Sequence, residues 1–257
     1  MDRAALIAEF EGDPFIECEI RPGAAVHSSG RWRLAQRVGH LRGAGWVLLD
    51  AEGTPFGPTT ASPSDLAQAE SLIRRPDVLR GPVTTDRGVW DALAPRFPDT
   101  ERGGEWDWMW TGDAPVDHPQ EAHLVELDDC DDAAELEALN RADSPTAESQ
   151  PGTGLTELWI GARVPGPSGP RIVAAGALHR TPSGAPHLAG IVTASTARGQ
   201  GWGTAVVRAL TRRALVRPGP VTGICTLGMY AGNDSARRLY HGLGFITSRT
   251  FASHRPA

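Results

Sequence analysis

Apolar positions recur along the chain at two spacings, and the switches between them mark out the elements. Strict alternation over Glu105–Trp110 (E-W-D-W-M-W) predicts a strand with Trp106, Trp108 and Trp110 on one face. That face reads as the buried side of a sheet, with a ligand platform as the alternative. Spacings of three and four predict helices instead. One runs over residues 65–75, capped by Ser64 or Asp65, with Leu66, Ala69, Leu72 and Ile73 inward; another follows Asp86 and carries Val89, Trp90 and Leu93. Trp46–Asp50 and Val78–Val83 read as strands. Downstream, strands are expected at 123–127, 158–164, 171–179, 186–193, 221–227 and 245–251, and helices at 131–140, 203–216 and 234–241. Strands dominate early and alternate with helices late, the pattern of a mixed α/β sheet with helices on its faces.

Two stretches rich in proline and glycine interrupt these patterns, residues 53–63 and residues 111–119 (T-G-D-A-P-V-D-H-P). The second follows one patterned strand and precedes another, which divides the chain into domains 1–118 and 119–257. Residues 164–170 (V-P-G-P-S-G-P) read as a hairpin connection. Residues 65–110 repeat the helix, strand, helix, strand order of residues 203–251, so the first domain is expected to be a degenerate copy of the second, without a glycine-rich turn.

Composition narrows the chemistry. The chain has 257 residues, 40% of them apolar, enough for two cores. No apolar run approaches the ~20 residues that span a bilayer, so no membrane partner is expected. Met1–Gly12 is acidic and amphipathic and lacks the basic-then-apolar order of a secretory signal, so a cytoplasmic location is expected. Cys18, Cys130 and Cys225 are dispersed, with neither disulfide nor metal-ligand spacing. Cys225 lies in an apolar run and reads as core, a catalytic thiol being the alternative. All 25 basic residues are arginine, which excludes lysine Schiff bases and Walker-type phosphate loops. Residues 171–257 hold eleven arginines and one acid, Asp234, for +10, which leaves −16 on residues 1–170 out of a total of −6. The arginines are interleaved with a glycine turn and apolar strands and lack aromatic stacking platforms. That points to a small polyanionic ligand and away from nucleic acid.

The stretch that carries chemistry is Ile191–Thr204, I-V-T-A-S-T-A-R-G-Q-G-W-G-T. An apolar strand enters Arg198-Gly199-Gln200-Gly201-Trp202-Gly203, and an amphipathic helix follows at once. Glycines let the backbone turn with its N–H groups in one concavity, and the helix N-terminus adds its positive end, an anion site suited to a pyrophosphate. A dinucleotide fold would place an acid ~20 residues on; Val221 and Thr222 stand there instead. A second run, Asn233-Asp234-Ser235-Ala236-Arg237-Arg238-Leu239-Tyr240-His241-Gly242-Leu243-Gly244-Phe245, reads as a helix capped by Asn233 or Asp234 with Ala236, Leu239, Tyr240 and Leu243 buried.

With both runs in hand, residues 121–257 resemble the GCN5-related N-acetyltransferase (GNAT) superfamily. Its R/Q-x-x-G-x-G/A motif appears as Arg198–Gly203, and its later motif as Asn233, Ala236, Tyr240, Gly244 and Phe245. Ser195 stands where many members have proline. The resemblance implies a GNAT-type fold and an N-acetyltransferase moving acetyl from acetyl-coenzyme A, as cosubstrate and without a metal, to a small-molecule or peptide amine. It implies backbone contacts from Ile191, Val192 and Thr193 to the pantetheine arm, and a pyrophosphate cradle from Arg198, Gly199, Gln200, Gly201, Trp202, Gly203 and Thr204. Asn233 would lie near the pantetheine, and Tyr240 would be the general acid for the departing thiolate. His187, Glu157 and His179 are the base candidates, His187 because it is read on one strand face with Ala189, Ile191 and Thr193. The alternatives are a non-catalytic acyl-coenzyme A sensor, or the same scaffold using another acyl group or an oxygen acceptor. A monomer or homodimer is expected.

Overall fold

The computed structural model describes residues 1–38, 44–53, 60–147, 149–166 and 169–256. Residues 54–59 of the first Pro/Gly stretch and residues 167–168 of the expected hairpin connection lie outside them. In chain order the elements are α1 (Arg3–Glu9), α2 (Pro14–Glu19), β1 (Val26–Ser29), β2 (Trp32–Val38), β3 (Ala44–Asp50), α3 (Pro63–Ile73), β4 (Val83–Asp86), α4 (Arg87–Leu93), β5 (Glu101–Thr111), β6 (Leu124–Leu127), α5 (Ala133–Asp143), β7 (Leu158–Val164), β8 (Arg171–Arg180), β9 (Pro186–Thr193), α6 (Trp202–Leu215), β10 (Cys225–Tyr230), α7 (Asp234–Gly242) and β11 (Ile246–Arg255).

Contacts group the chain into two units, Met1–Met109 with Gly228–Arg237 and Ile246–Ala257, and Trp110–Leu227 with Arg238–Phe245. This grouping differs from the division by composition at 118/119, because β11 pairs antiparallel with β4, Phe251 opposite Asp86 through His254 opposite Val83.

In the first unit the strands run β1-β2-β3-β4-β11-β5. The first three are antiparallel, and α3 carries the chain across to β4, which lies parallel to β3. The expected cap of α3 moves upstream. Ser62 Oγ accepts from Asp65 N at 3.2 Å and Asp65 Oδ2 from Ser62 N at 2.9 Å, a reciprocal box that Pro63 at the first helical position suits. The strand expected at 78–83 begins only at Val83; the preceding residues turn, with Leu79 N on Arg75 O at 3.0 Å and Val78 in the core. Trp32, Leu34, Trp46, Leu48, Ala69, Ile73 and Trp90 fill that core. Of the tryptophan face on β5, Trp108 is fully buried with Nε1 donating to Glu19 Oε1 at 3.0 Å. Trp106 is half-buried beneath the Arg37 guanidinium, 4.6 Å from its ring centre. Core is therefore the reading that holds for Trp108.

In the second unit β6, β7, β8 and β9 are antiparallel neighbours, and α6 carries the chain from β9 to β10, parallel to it. The order β3-α3-β4-α4-β5 in the first unit thus recurs as β9-α6-β10-α7-β11. α5 and α6 cover opposite faces of these strands. Leu136 and Leu139 of α5 pack with Ala175, Ala177 and Val192, whereas Gly176, between those alanines, faces Ile191, Val206 and Leu210. Two elements start later than their apolar patterns suggest. Asp128 Oδ1 accepts from both Cys130 N and Asp131 N at 2.8 Å, making a turn before α5. Pro218, Pro220 and Gly223 (φ +72°) likewise hold the chain out of β10 until Cys225.

Candidate active site

The site starts from an irregularity in β9. Ala177 pairs with Ala189, but Ala175 pairs with Val192, so β9 spends one extra residue there. Gly190 takes φ +57° at that point, a conformation glycine adopts without strain. The bulge inverts the side-chain parity of everything after it. Val192 therefore shares the α5 face with Ala189 and His187, whereas Ile191 and Thr193 turn to the α6 face. The expectation that His187 shares a face with Ile191 and Thr193 is corrected by this bulge.

Beside the bulge the parallel ladder stops. Thr226 lies opposite His187 and Leu227 opposite Leu188, and the described ladder between β9 and β10 has no further pair. The β10 edge of β9 from Gly190 to Thr193 is thereby released from pairing, at the strand segment expected to meet a pantetheine arm.

The chain then leaves β9 through a short 3-10 turn, Ser195–Ala197, and enters α6. Gly199 and Gly201 have φ of +76° and +85°, which aligns successive N–H groups. Among the described residues the N–H groups of Gly199, Gln200, Gly201, Trp202, Gly203 and Thr204 donate to no intramolecular acceptor; the first helical bond is Ala205 N to Gly201 O at 3.0 Å. Six donors at the N-terminus of a 14-residue helix form a concentrated positive potential. Arg198 stands beside them with its side chain 59% exposed, donating from Nε to Thr193 O at 3.3 Å. Trp202 is buried and closes the turn by donating to Gln200 Oε1 at 3.3 Å.

Sequence reasoning missed the residues that hold this turn. Asp143, the last residue of α5, accepts Ser195 N on Oδ1 at 2.8 Å and pairs with Arg198 at 3.5 Å. His118 sits so close to Gly201 that a Cβ there would lie 2.8 Å from its Cε1, and Gln120 Nε2 donates to Gln200 O at 3.1 Å. These residues are 52 to 83 positions from the ones they support, and no local pattern announces them. Arg208 and Arg212 donate to backbone carbonyls of residues 115–117, so the segment expected to be a linker is bound along α6.

Tyr240 lies in the last turn of α7, buried, with its ring 5.8 Å from that of Phe245. Burial, and then the nearby Cys225 thiol, push its phenol above the ordinary tyrosine range, so it keeps its proton at neutral pH. Cys225 is itself fully buried, and burial raises its thiol against the lowering hydrogen bond from Thr211, which keeps it un-ionised. Asn233 belongs to the other contact unit, where its Oδ1 accepts Ala236 N at 3.0 Å and caps α7.

The base candidates lie near one another: His179 and His187 are opposite each other across the β8–β9 ladder, and Glu157 N donates to Leu178 O at 2.9 Å. His187 is buried, with Nδ1 2.9 Å from Thr226 Oγ1. That hydroxyl donates its one proton to Pro186 O at 3.0 Å, so it accepts from Nδ1–H. His179 is buried with Nε2 3.0 Å from Thr156 Oγ1. Glu157 has each carboxylate oxygen in an arginine pair, Arg180 at 3.0 Å and Arg217 at 2.8 Å.

An α/β sheet interrupted by a bulge, with an unpaired strand edge leading into an N–H-lined helix start, is the architecture of acyl-coenzyme A N-acyltransferases. Residues 122–245 match the family model described as the acetyltransferase (GNAT) family, and that segment is a domain of this family. The family implies acyl transfer from an acyl-coenzyme A. Among solved structures, a GCN5-related N-acetyltransferase from Kribbella flavida is 18% identical with a TM-score of 0.54, over 99% of this chain and 95% of its own. A protein from Novosphingobium aromaticivorans described as a GNAT-family acetyltransferase is 20% identical, TM-score 0.51, over 96% and 94%. A GNAT-family acetyltransferase from Colwellia psychrerythraea is 12% identical, TM-score 0.51, over 100% and 98%. These likenesses extend the fold over nearly the whole chain. None of the curated proteins compared with the sequence matches it. Among the described residues no helix is long and apolar enough to cross a membrane, and no group of three or more His, Cys, Asp or Glu could hold a metal ion.

Proposed function

We propose that this protein is an N-acetyltransferase that moves acetyl from acetyl-coenzyme A to an amine by direct attack on the thioester. The observation that carries the reading is the row of unengaged N–H groups from Gly199 to Thr204 beside the exposed Arg198. Unengaged N–H groups at a helix start suit a pyrophosphate, and the lysine-free chain supplies its charge through arginine. The released edge of β9 at Ile191, Val192 and Thr193 would hydrogen-bond the pantetheine amides, and Asn233 would border the same arm.

In the reaction the amine nitrogen bonds to the acyl carbon while the carbon–sulfur bond breaks. The proton lost by the amine passes to His187 as the base, and the Tyr240 phenol gives its proton to the leaving sulfur. Glu157 is a weaker candidate for the base because two arginines occupy its carboxylate. The negative balance of residues 1–170 favours a cationic acceptor. We assign the protein no nucleic-acid or membrane partner and a cytoplasmic setting.

Calorimetry with coenzyme A, followed by thiol release from acetyl-coenzyme A across a panel of polyamines, amino acids, aminoglycosides and peptide N-termini, tests this. Tyr240→Phe is expected to lower kcat by about 100-fold with coenzyme A affinity within about twofold. Absence of coenzyme A binding removes the assignment; binding without thiol release anywhere on the panel replaces the enzyme with a binding module.

A further inference from the structure

Helix α7 carries Tyr240 in its last turn, but its first turn is held by a residue more than a hundred positions upstream. Asp107 on β5 is 3% exposed. Its Oδ2 accepts Nε and Nη2 of Arg237 at 3.2 and 3.1 Å, and its Oδ1 accepts Nη2 of Arg87. Arg237 also donates to Ala231 O and to Asp234. The turn it grips is secured separately, with Ala231 N on Glu105 O, Asn233 N on Tyr230 O and Arg237 N on Asn233 O, each at 3.0 Å.

A buried carboxylate is costly unless its charge is compensated and its oxygens are hydrogen-bonded. Two guanidinium groups do that for Asp107, and the planar fork of Arg237 adds direction to the attraction. The carboxylate on β5, the turn carbonyl and the acid in the helix's first turn converge on one rigid group. They set where α7 begins and how it is rotated about its axis. Arg237 and Tyr240 are three residues apart, neighbours on one side of that helix. A helix rotation that moves one moves the other, and misplacing a reacting group by about 1 Å can cost about 100-fold in rate.

We infer that Asp107 is a positioning residue for acyl transfer: through Arg237 it sets the start and rotation of α7, and so the place of the Tyr240 phenol. The inference rests on the acid role given to Tyr240 above.

The test is a double-mutant cycle of Asp107→Asn and Tyr240→Phe in the full chain. It reads kcat, KM for acetyl-coenzyme A and thermal melting, with the best amine of the panel. Asp107→Asn is expected to lower kcat by about tenfold with KM within about threefold. In the Tyr240→Phe background it is expected to lower kcat no further. Should Asp107→Asn fail to fold, Arg237→Lys, which keeps the charge but loses the two-point grip, takes its place with the same expectation. An equal loss in both backgrounds overturns the positioning role while leaving Tyr240 as the acid. An unchanged kcat in Tyr240→Phe alone, or no turnover with any amine, removes the acid reading and this inference with it.

Discussion

His254 is a residue whose chemistry is set entirely by its surroundings. Its ring stacks on Trp90 with centroids 3.7 Å apart, and its Nε2 is buried without a partner among the described residues. Burial, and after it the Arg102 charge, push its pKa down to about 4. A histidine kept neutral in the fold contributes stability that is present above its unfolded pKa of about 6.5 and lost as pH falls toward 4. Asp86 works in the opposite sense. Burial outweighs its pairing with Arg249 and raises its carboxyl to about 7, so the folded state holds a proton that the unfolded chain releases near 4. Stability from that group falls as pH rises from about 4 to about 7. The two slopes oppose each other across most of that interval. His254→Phe, which keeps the stack on Trp90, is therefore expected to melt higher relative to the native chain at pH 5 than at pH 8. Equal shifts at both pH values in thermal melts would show that His254 does not titrate with folding. Composition carried no hint of either group, because a pKa shift needs the burial that only packing supplies.

At the scale of elements, the bulge in β9 does most to place the site, and it depends on two glycines that face different neighbours. Gly190 needs its positive φ, and a Cβ there would lie 2.0 Å from Ser149 Oγ. Gly176, its neighbour across the ladder, takes an ordinary φ but would press a Cβ to 2.5 Å from Ile191 Cδ1 and 2.8 Å from Leu210 Cδ1. Gly176 lets α6 lie close against β8, which sets the height of the helix start above the strand edge. Gly176→Ala is expected to destabilise the chain by about 1–3 kcal/mol, the usual range for an overpacked core, as measured by denaturant unfolding. Weaker coenzyme A binding is expected to accompany it. A variant as stable as the native chain would mean that α6 has room to withdraw. Alternation of apolar residues announced β9 as a strand but not its bulge, since one extra residue leaves the apolar count unchanged while inverting which side chains face α5.

For the whole molecule, β11 decides how the chain divides. Its sequence follows α7, yet its ladder is with β4, and contacts place it with Met1–Met109. A fragment of residues 119–257 would leave β11 without that ladder and α7 without Asp107. It is expected to lack the cooperative thermal transition of the full chain; a two-state melt of the fragment would show that the C-terminal half folds alone. What the amino-acid order determined unaided was local. The glycine turn after an apolar strand, the amphipathic α6 and the motif running from Asn233 to Phe245 were all readable, because turn chemistry and helical periodicity act within a few residues. Tertiary structure alone decided the rest: the Asp143 support of the turn, the Thr226 contact of His187, and the arginine pairs that occupy Glu157. Each joins residues tens of positions apart, and such pairings follow from strand register and helix packing, which one-dimensional spacing does not encode.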